Sequence, residues 1–451
     1  MKRKDYQIYI SGTIKLGVGF GIISLLARWV TGNTILSSPE TLIKYGLTGG
    51  IGYSLMGAFA LILFGFLAKK IHKKYPGHHT IGDVLRQKLT PTGYWYMISV
   101  LLLTSIDSLL LQAMGAHILL HMIFPLPIFT GMLIFLLICF FIGGVGGMQR
   151  LHQLAGANVA LIFGAVIIIP VYFYIQEGVY PVYEGIKLYH PYLLYINNTD
   201  AFLFIVTVIL IGFGQVMIDR ATWQRVFIIQ KEKAQMAFTL AGLVWATIPL
   251  ALSSLLMIII FGRSYDTIYS LFFELVDKIQ STMLIILFVL FCFSAISSAI
   301  SSELHATTTL IVKNIIEVFR TLTNKEKWNC TYIVSGMICI FLLTIVSFLE
   351  PNLLGLLFFF GNIYASLIVP LLYIILSKKV LPSIIPLASF IGAAGGYVSL
   401  PMLENLMAIW VSFAISSFIC LVYFIYQSFF IELIPLKDHT GNFLGTKQNA
   451  P

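Results

Sequence analysis

The chain has 451 residues, of which 58% are hydrophobic and only 10% are charged, and its mean hydropathy is +0.91. A soluble protein of this length needs many more polar side chains at its surface, so the composition excludes that class. The net charge of +9 does not indicate a nucleic-acid partner, because the basic residues follow the loops of a membrane protein. We therefore predict an all-α polytopic membrane protein whose solvent is the lipid bilayer.

Apolar segments of about 20 residues can cross the hydrocarbon core of a bilayer as helices. The chain contains twelve such segments, which we number as predicted spans 1 to 12. Their approximate limits are 13–37, 46–68, 92–123, 128–147, 151–176, 201–222, 235–262, 283–312, 330–349, 353–377, 380–398 and 406–428.

The basic residues orient these spans, since cytoplasmic loops are enriched in lysine and arginine. With a cytoplasmic N-terminus, 23 of the 28 basic residues fall on the cytoplasmic side. Lys44, Lys187, Arg263 and Lys278 lie outside, and Arg28 lies within a span. We expect both termini to be cytoplasmic and the membrane to be a plasma membrane, in bacteria the inner membrane.

No linker separates domains, so we expect one transmembrane domain over residues 1–428 and a flexible cytoplasmic tail over 429–451. Span 1 is interrupted by Thr31-Gly32-Asn33 and span 6 by Gly212-Phe213-Gly214. Because five spans separate these interruptions, they predict two inverted repeats with broken helices, at about 13–176 and 201–377, followed by two extra helices in 380–428. Alternatively, the glycines only permit close helix packing.

Three blocks of sequence carry a family resemblance. Span 1 and its following loop contain Ala27-Arg28-Trp29-Val30-Thr31-Gly32 and Lys44-Tyr45-Gly46, and span 6 is followed by Asp219-Arg220 and Trp223-Gln224-Arg225. Span 8 contains the run 294–303, SAISSAISSE, followed by Thr307-Thr308-Thr309. In this order the blocks resemble the sodium:solute symporter family over most of residues 5–400. Ser37-Ser38, His79-Thr80 and Ser302-Glu303-Leu304 resemble its urea/polyamine (urea active transporter) branch.

The resemblance implies inverted five-helix repeats of the leucine-transporter type, alternating access, and solute uptake driven by an ion gradient. Family members usually have a further helix before the first broken one, and the stretch 5–15 matches the segment that follows that helix.

The resemblance also implies a sodium site between spans 1 and 8. Its ligands would be the carbonyl groups of Ala27, Val30 and Ala295 and hydroxyls at positions 298 and 299. Ser298 is present, whereas Ala299 supplies no oxygen, so Ser297 or Ser301 would have to substitute. Apart from this Na⁺, no metal and no cofactor are expected.

Arg28 lies roughly 22 Å from the start of span 1, where an unpaired guanidinium is costly. Asp107 in span 3 and Glu303 in span 8 are the candidate partners. One hypothesis is that Arg28 permanently supplies positive charge otherwise delivered by sodium, with proton coupling through Glu303 or Asp107. Alternatively, Arg28 extends into an aqueous vestibule and sodium binding persists with one ligand fewer.

Side chains near the interruptions are candidates for binding a small polar solute, which in this branch would be urea-like. They are Trp29, Thr31, Gly32, Phe213, Gln215 and Asn362, and each could equally serve helix packing. Asp219, Arg220, Gln224 and Arg225 are expected to form either an inner gate or a solvated anchor, with the anchor favoured.

The sequence has no P-loop and no H-E-x-x-H motif, which argues against a primary pump, a protease or another enzyme. We predict a secondary active transporter coupled to Na⁺ or H⁺. The alternatives are a non-transporting membrane sensor or structural subunit on a carrier scaffold, and an ion-independent facilitator. The sequence leaves the oligomeric state open.

Overall fold

The computed structural model describes residues 6–123, 127–196, 198–261, 278–279, 281–348 and 353–430. In these ranges the regular elements are helices, and two isolated β-bridges pair Leu16 with Ile229 and Leu89 with Leu381. The α-helices are α1 (Tyr6–Ser11), α2 (Val18–Trp29), α3 (Gly32–Lys74), α4 (Ile81–Lys88), α5 (Pro91–Ile123), α6 (Ile128–Cys139), α7 (Gly147–Glu177), α8 (Val179–Tyr189), α9 (Thr199–Ile218), α10 (Arg220–Ile228), α11 (Ala234–Ile260), α12 (Thr282–Ile311), α13 (Glu317–Phe319), α14 (Asn324–Val346), α15 (Leu353–Leu376), α16 (Ile384–Ser399) and α17 (Asn405–Phe430).

Each predicted span lies on one or two of these helices. Nine helices of the described ranges are long and apolar enough to cross a membrane, and three shorter apolar helices contribute to spans 1, 4 and 11. The helix α3 contains the second part of span 1 and all of span 2, which meet at a kink at Gly46 (φ 71°). Of the predicted tail, residues 431–451 lie outside the described residues.

The centre of the bundle is formed by α3, which packs against α9 and α11, while α2 and α10 pack against α12. Large apolar side chains such as Phe20, Ile175 and Phe418 are exposed on the outer helix surfaces. Polar and charged side chains, including Arg28 and Glu303, lie inside instead. This distribution is the one expected when lipid surrounds the bundle and the functional groups face its interior.

The predicted interruption of span 1 is confirmed. The helix α2 ends at Trp29, the backbone is extended at Val30 and Thr31, and α3 begins at Gly32. Thr31 caps α3, because its hydroxyl accepts a hydrogen bond of 3.1 Å from the amide of Thr34. The Gly32 amide donates to Oε1 of Gln112 on α5 at 3.0 Å. The backbone amides of Gly32 and Thr34, which the break leaves without helical partners, are therefore hydrogen-bonded by the Thr31 cap and by Gln112 on a neighbouring helix.

The interruption predicted for span 6 at Gly212-Phe213-Gly214 is wrong. The helix α9 runs unbroken from Thr199 to Ile218, and the break comes at Asp219 (ψ 111°), before α10. Gly214 serves close packing, since a Cβ there would lie 2.2 Å from the carbonyl oxygen of Tyr364 on α15. The packing alternative considered for these glycines is thus the correct one.

At the end of the bundle where α4 lies, Asp83 joins α4 to the residues after α12. Its Oδ2 accepts from Lys313 Nζ at 2.7 Å, and its Oδ1 accepts from Asn314 Nδ2 at 3.1 Å. Burial opposes the charge on Asp83, but the Lys313 ammonium and these hydrogen bonds outweigh it and lower the pKa of the carboxyl.

Candidate functional site: a buried charge cluster at the two helix breaks

The side chain of Arg28, in the last turn of α2, reaches three other helices. Its Nη2 lies 2.5 Å from Asp219 Oδ1 and 2.8 Å from Glu303 Oε2. The same nitrogen donates to the hydroxyl of Ser108 on α5 at 3.1 Å. Arg28 is 3% exposed and Glu303 is completely buried. The expectation that Arg28 extends into an aqueous vestibule is therefore wrong, because carboxylates inside the protein neutralise the guanidinium; persistence of sodium binding stays a prediction.

A second arginine shares Glu303. Arg220 donates from Nε to Glu303 Oε1 at 2.9 Å and also pairs with it through Nη2. Its Nη1 donates to the hydroxyl of Thr104 at 2.9 Å and to the carbonyl oxygen of Leu101 at 3.0 Å. Glu303 thus binds two guanidinium groups, and the cluster connects α2, α5, α10 and α12.

The break at Asp219 positions the second carboxylate. Asp219 caps α10, since its Oδ2 accepts from the amide of Thr222 at 2.7 Å and from its hydroxyl at 2.5 Å. A carboxylate at a helix N-terminus is stabilised by the free backbone N–H groups and the helix dipole. Because Oδ2 is used by the cap, Oδ1 is available to Arg28.

Of the two partners predicted for Arg28, Glu303 is confirmed and Asp107 is wrong. Asp107 makes no ion pair within the described ranges, and its Oδ2 accepts from the hydroxyl of Tyr364 on α15. The reason is helical geometry: Ser108 faces Arg28, and consecutive residues on a helix point about 100° apart. Sequence reasoning missed Asp219 as a partner, although an acidic residue at the end of a span was a usable signal.

The four residues of the predicted cation site lie in the last turn of α2, in the break after it, and on α12. The hydroxyl of Ser298 donates to the carbonyl oxygen of Ala27 at 2.7 Å, so two of the four are in direct contact. Val30 and Ala295 are completely buried nearby. Ala299 is also fully buried and adds no oxygen. The hydroxyl of Ser297 donates to the Ser294 carbonyl oxygen on its own helix at 3.4 Å, and the buried hydroxyl of Ser301 has no hydrogen-bond partner in the described ranges.

These oxygens fit a hard monovalent cation in type, but hydroxyls and carbonyls from α2 and α12 supply fewer ligands than sodium usually takes. Within the described ranges, His, Cys, Asp and Glu form no group of three that could hold a metal ion.

The candidate solute-binding residues do not all lie together. Trp29 lies at the charge cluster, where its Nε1 donates to the Thr222 hydroxyl at 3.0 Å and its ring lies 5.4 Å from Arg28 Cζ. Thr31 and Gly32 follow Trp29 closely in the chain and lie at the break between α2 and α3. Asn362 is bound instead to α17, because its Oδ1 accepts from Ser412 at 2.8 Å.

Phe213 and Gln215, the remaining two candidates, are half-buried on α9, in the turn that precedes Asp219 by about one helical repeat. Both therefore lie on the unbroken part of span 6, before the cap at Asp219.

The expectation of a solvated anchor after span 6 is wrong. Arg220, Gln224 and Arg225 are at most 3% exposed. Arg225 donates from Nε to the Ser24 carbonyl oxygen at 2.8 Å and from Nη2 to the Ser302 hydroxyl at 3.1 Å. Within the part of the chain that the structure describes, neither the oxygen nor the nitrogen of the Gln224 side-chain amide has a hydrogen-bond partner. These side chains are therefore packed inside the protein rather than anchored in water.

At the opposite end, near the start of α9, a cavity of about 400 Å³ opens at the surface. It lies beside the end of the α3 segment that precedes Gly46, and it contains acidic, basic, amide and aromatic groups. Its lining includes Lys44, Tyr45, Asn198, Asp200, Phe358 and Glu404.

No protein-family model matches the chain. Over 448 aligned residues the chain is 22% identical to the urea-proton symporter DUR3 of Oryza sativa subsp. japonica, covering 89% of this chain and 60% of the relative. It is 21% identical to the probable urea active transporter 1 of Schizosaccharomyces pombe, covering 66% of this chain and 49% of that protein. The chain thus spans about half to three fifths of the length of these curated relatives.

Among solved structures, a Na⁺-coupled sialic acid symporter in a substrate-bound outward-open state superposes with a TM-score of 0.77. The superposition covers 95% of this chain and 93% of that chain at 11% sequence identity. The predicted all-α fold of the leucine-transporter type is therefore confirmed, as is the resemblance to urea transporters of the sodium:solute symporter kind.

Proposed function

We propose that this protein is a secondary active transporter that couples uptake of a small polar solute to movement of a cation by alternating access. The fold shared with a sodium-coupled symporter and the similarity to proteins named as urea transporters support the proposal. The observation that carries it is the bridge of Arg28 to Asp219 and Glu303, at the two helix breaks, beside the contact of Ser298 with Ala27. Buried ionisable groups at broken helices are expected at a coupling site.

In this proposal Arg28 supplies permanently the positive charge that a bound sodium ion supplies in the related fold. Arg28 directly follows Ala27 in the sequence, and the Ser298 hydroxyl donates to the Ala27 carbonyl oxygen. Two buried carboxylates need a positive charge nearby to be stable, and Arg28 provides it without any ion. Coupling then falls to a cation that the remaining titratable groups can bind, namely the proton.

The solute is proposed to be neutral, small and urea-like. The central cluster pairs its own charges, so an ionic solute would find no unpaired countercharge among Arg28, Asp219 and Glu303. The proposed solute contacts lie around the breaks and are Trp29, Thr31, Gly32, Phe213 and Gln215. Asn362, which is hydrogen-bonded to Ser412 on α17, is proposed to support them.

Uptake of radiolabelled urea into proteoliposomes tests the function, under an inward sodium gradient, an inward proton gradient and no gradient. We expect accumulation above equilibrium with the proton gradient alone. Equilibration in all three conditions would instead identify a facilitator. Binding of urea without any uptake would identify a sensor, and no binding would remove urea as the solute.

Arg28→Ala tests the charge substitution. If the parent is insensitive to sodium, we expect sodium to stimulate residual uptake by the variant, because the cation can replace the missing guanidinium. A variant that stays insensitive to sodium would leave the substitution without support. Lys187→Ala, at an exposed side chain of α8, is the matched control and should behave as the parent.

The protein is proposed to lie in a plasma membrane with both termini in the cytoplasm, so that the cavity lined by Lys44 and Asp200 faces outward. Uptake would then start at this cavity and end at the side of the bundle where α10 lies.

A further inference from the structure

We infer that the coupling proton of the proposed transporter is carried by Asp107, and that Glu303 does not carry it. The inference rests on the proposed function and names the residue that binds the driving ion. It follows from how the buried acids of the described ranges are paired.

Three acidic side chains are buried in these ranges, and they differ in their partners. They are Asp107, Asp219 and Glu303. Asp219 is paired with Arg28 and also caps α10, and Glu303 is paired with both Arg28 and Arg220. Protonating either acid would leave the two buried guanidinium groups of Arg28 and Arg220 with a single carboxylate between them, which is strongly unfavourable. These two carboxylates therefore hold the structure together and are poor proton carriers.

Asp107 has the opposite surroundings. It is 1% exposed, its Oδ2 accepts one hydrogen bond from the Tyr364 hydroxyl, and its Oδ1 has no hydrogen-bond partner among the described residues. A buried carboxylate with a single neutral donor is poorly stabilised, whereas a carboxylic acid at the same place carries no net charge. Oδ1 is the free position at which a proton can be bound.

Charged and titratable groups face Asp107 from four other helices. They are Arg220 on α10, Glu303 on α12, Tyr364 on α15 and Tyr397 on α16. Because Arg220 is committed to Glu303, it gives Asp107 no ion pair of its own. A movement that separated Arg220 from Glu303 would free a positive charge for Asp107, and this would favour release of its proton.

The charge count of the core changes with this proton. Three buried guanidinium groups, on Arg28, Arg220 and Arg225, balance three carboxylates when Asp107 is ionised. When Asp107 is protonated, the core carries one excess positive charge, as a core loaded with one sodium ion would. Asp107 also links α5 to α15 through Tyr364, so its protonation state acts on two helices of the bundle.

The proposed proton step involves no redox chemistry. From the outer side, Oδ1 accepts a proton from hydronium, an O–H bond forms, and a water molecule is left. On the inner side that O–H bond breaks and the proton passes to water, which regenerates the carboxylate. One proton thus crosses the membrane with each transport cycle.

Infrared spectroscopy of the purified full chain tests this site independently of transport. We expect a carboxylic-acid C=O band at neutral pH that is lost in Asp107→Asn and kept, at a shifted position, in Asp107→Glu. Glu184→Gln, which replaces an exposed carboxyl on α8, is the matched control and should retain the band. Because Oε2 of Glu40 on α3 is also buried without a hydrogen-bond partner among the described residues, the variants are made in a Glu40→Gln background. In that background, a band that persists in Asp107→Asn, or a band that is absent from both the parent and Asp107→Glu, would overturn the inference.

Uptake by the same variants supplies the second measurement. Under an inward proton gradient, we expect the accumulation ratio of labelled urea to fall to about one in Asp107→Asn. A carrier that cannot bind the driving proton can only equilibrate its solute across the membrane. Accumulation as in the parent would overturn the inference. If the parent itself does not accumulate urea while its infrared band depends on Asp107, the proposed function fails and the proton site stands.

Discussion

Arg28 shows, for a single residue, that a charge deep in the membrane requires a counter-ion. Its position within span 1 predicts a counter-ion, because an unpaired guanidinium is costly there. Sequence reasoning predicts Glu303 as that partner but misses Asp219, since it expects the end of span 6 to be solvated although an acidic residue there is a usable signal. The ion pairs at 2.5 Å and 2.8 Å show that both acids contact the Arg28 guanidinium.

Arg28→Met is expected to lower the free energy of unfolding by about 3–5 kcal/mol, because it leaves the buried carboxylate of Asp219 without its counter-ion. Thermal unfolding of the detergent-purified protein measures the change. Adding Glu303→Gln should not restore stability fully, since Asp219 remains unpaired and Arg220 loses its partner.

The control for this prediction is Lys187→Met, which removes an exposed pair of 3.8 Å with Glu184. Exposed pairs contribute only about 0–1 kcal/mol, so its melting temperature should stay near that of the parent. Equal losses in Arg28→Met and Lys187→Met would contradict the assignment of Arg28 to a buried cluster.

At the scale of the helix, the two breaks differ in how well the sequence predicts them. The first break contains Thr31, a capping residue, directly before Gly32, and this pattern is typical of a helix start. In span 6 the two glycines predict a break at the wrong position, whereas Asp219, the capping residue of α10, lies at the actual break. Glycine in membrane helices reports close packing as often as a break, whereas the cap identifies the break itself.

Gly214→Ala tests this reading of span 6. A Cβ at Gly214 would lie 2.2 Å from the carbonyl oxygen of Tyr364, so α9 and α15 would have to separate. Overpacking of this kind typically costs about 1–3 kcal/mol. We expect a lower melting temperature in detergent and, because Tyr364 donates to Asp107, a shifted position of the carboxylic-acid infrared band.

Gly164→Ala on α7 is the matched control, because a Cβ there meets nothing within 4 Å. Alanine favours helix over glycine by roughly 1 kcal/mol, so this variant should be as stable as the parent or slightly more so. If Gly214→Ala behaves in the same way, α9 does not pack on α15 as closely as the structure shows.

For the whole molecule, apolar length predicts the twelve spans well, and each lies on helix in the structure. The five-span separation of the breaks likewise predicts the repeat that underlies the fold, although it places the second break five residues too early. The rotation of each helix about its own axis decides which side chains meet inside the bundle. The spacing of residues in the sequence does not predict this rotation. Tyr364 with Asp107, from predicted spans 10 and 3, is one such contact.

Orientation in the membrane is the property that the charge distribution predicts most directly, and chemical labelling can check it. The positive-inside rule places Lys325, at the start of α14, in the cytoplasm and Lys187, on α8, outside. Both side chains are exposed, so cysteine is tolerated at either position. In a background without the five native cysteines, an impermeant maleimide added to intact cells should label Lys187→Cys and not Lys325→Cys. After the membrane is permeabilised, both should be labelled. The reverse pattern in intact cells would turn the outer cavity at Lys44 into an inner one, and the proposed direction of solute movement would have to be reversed with it.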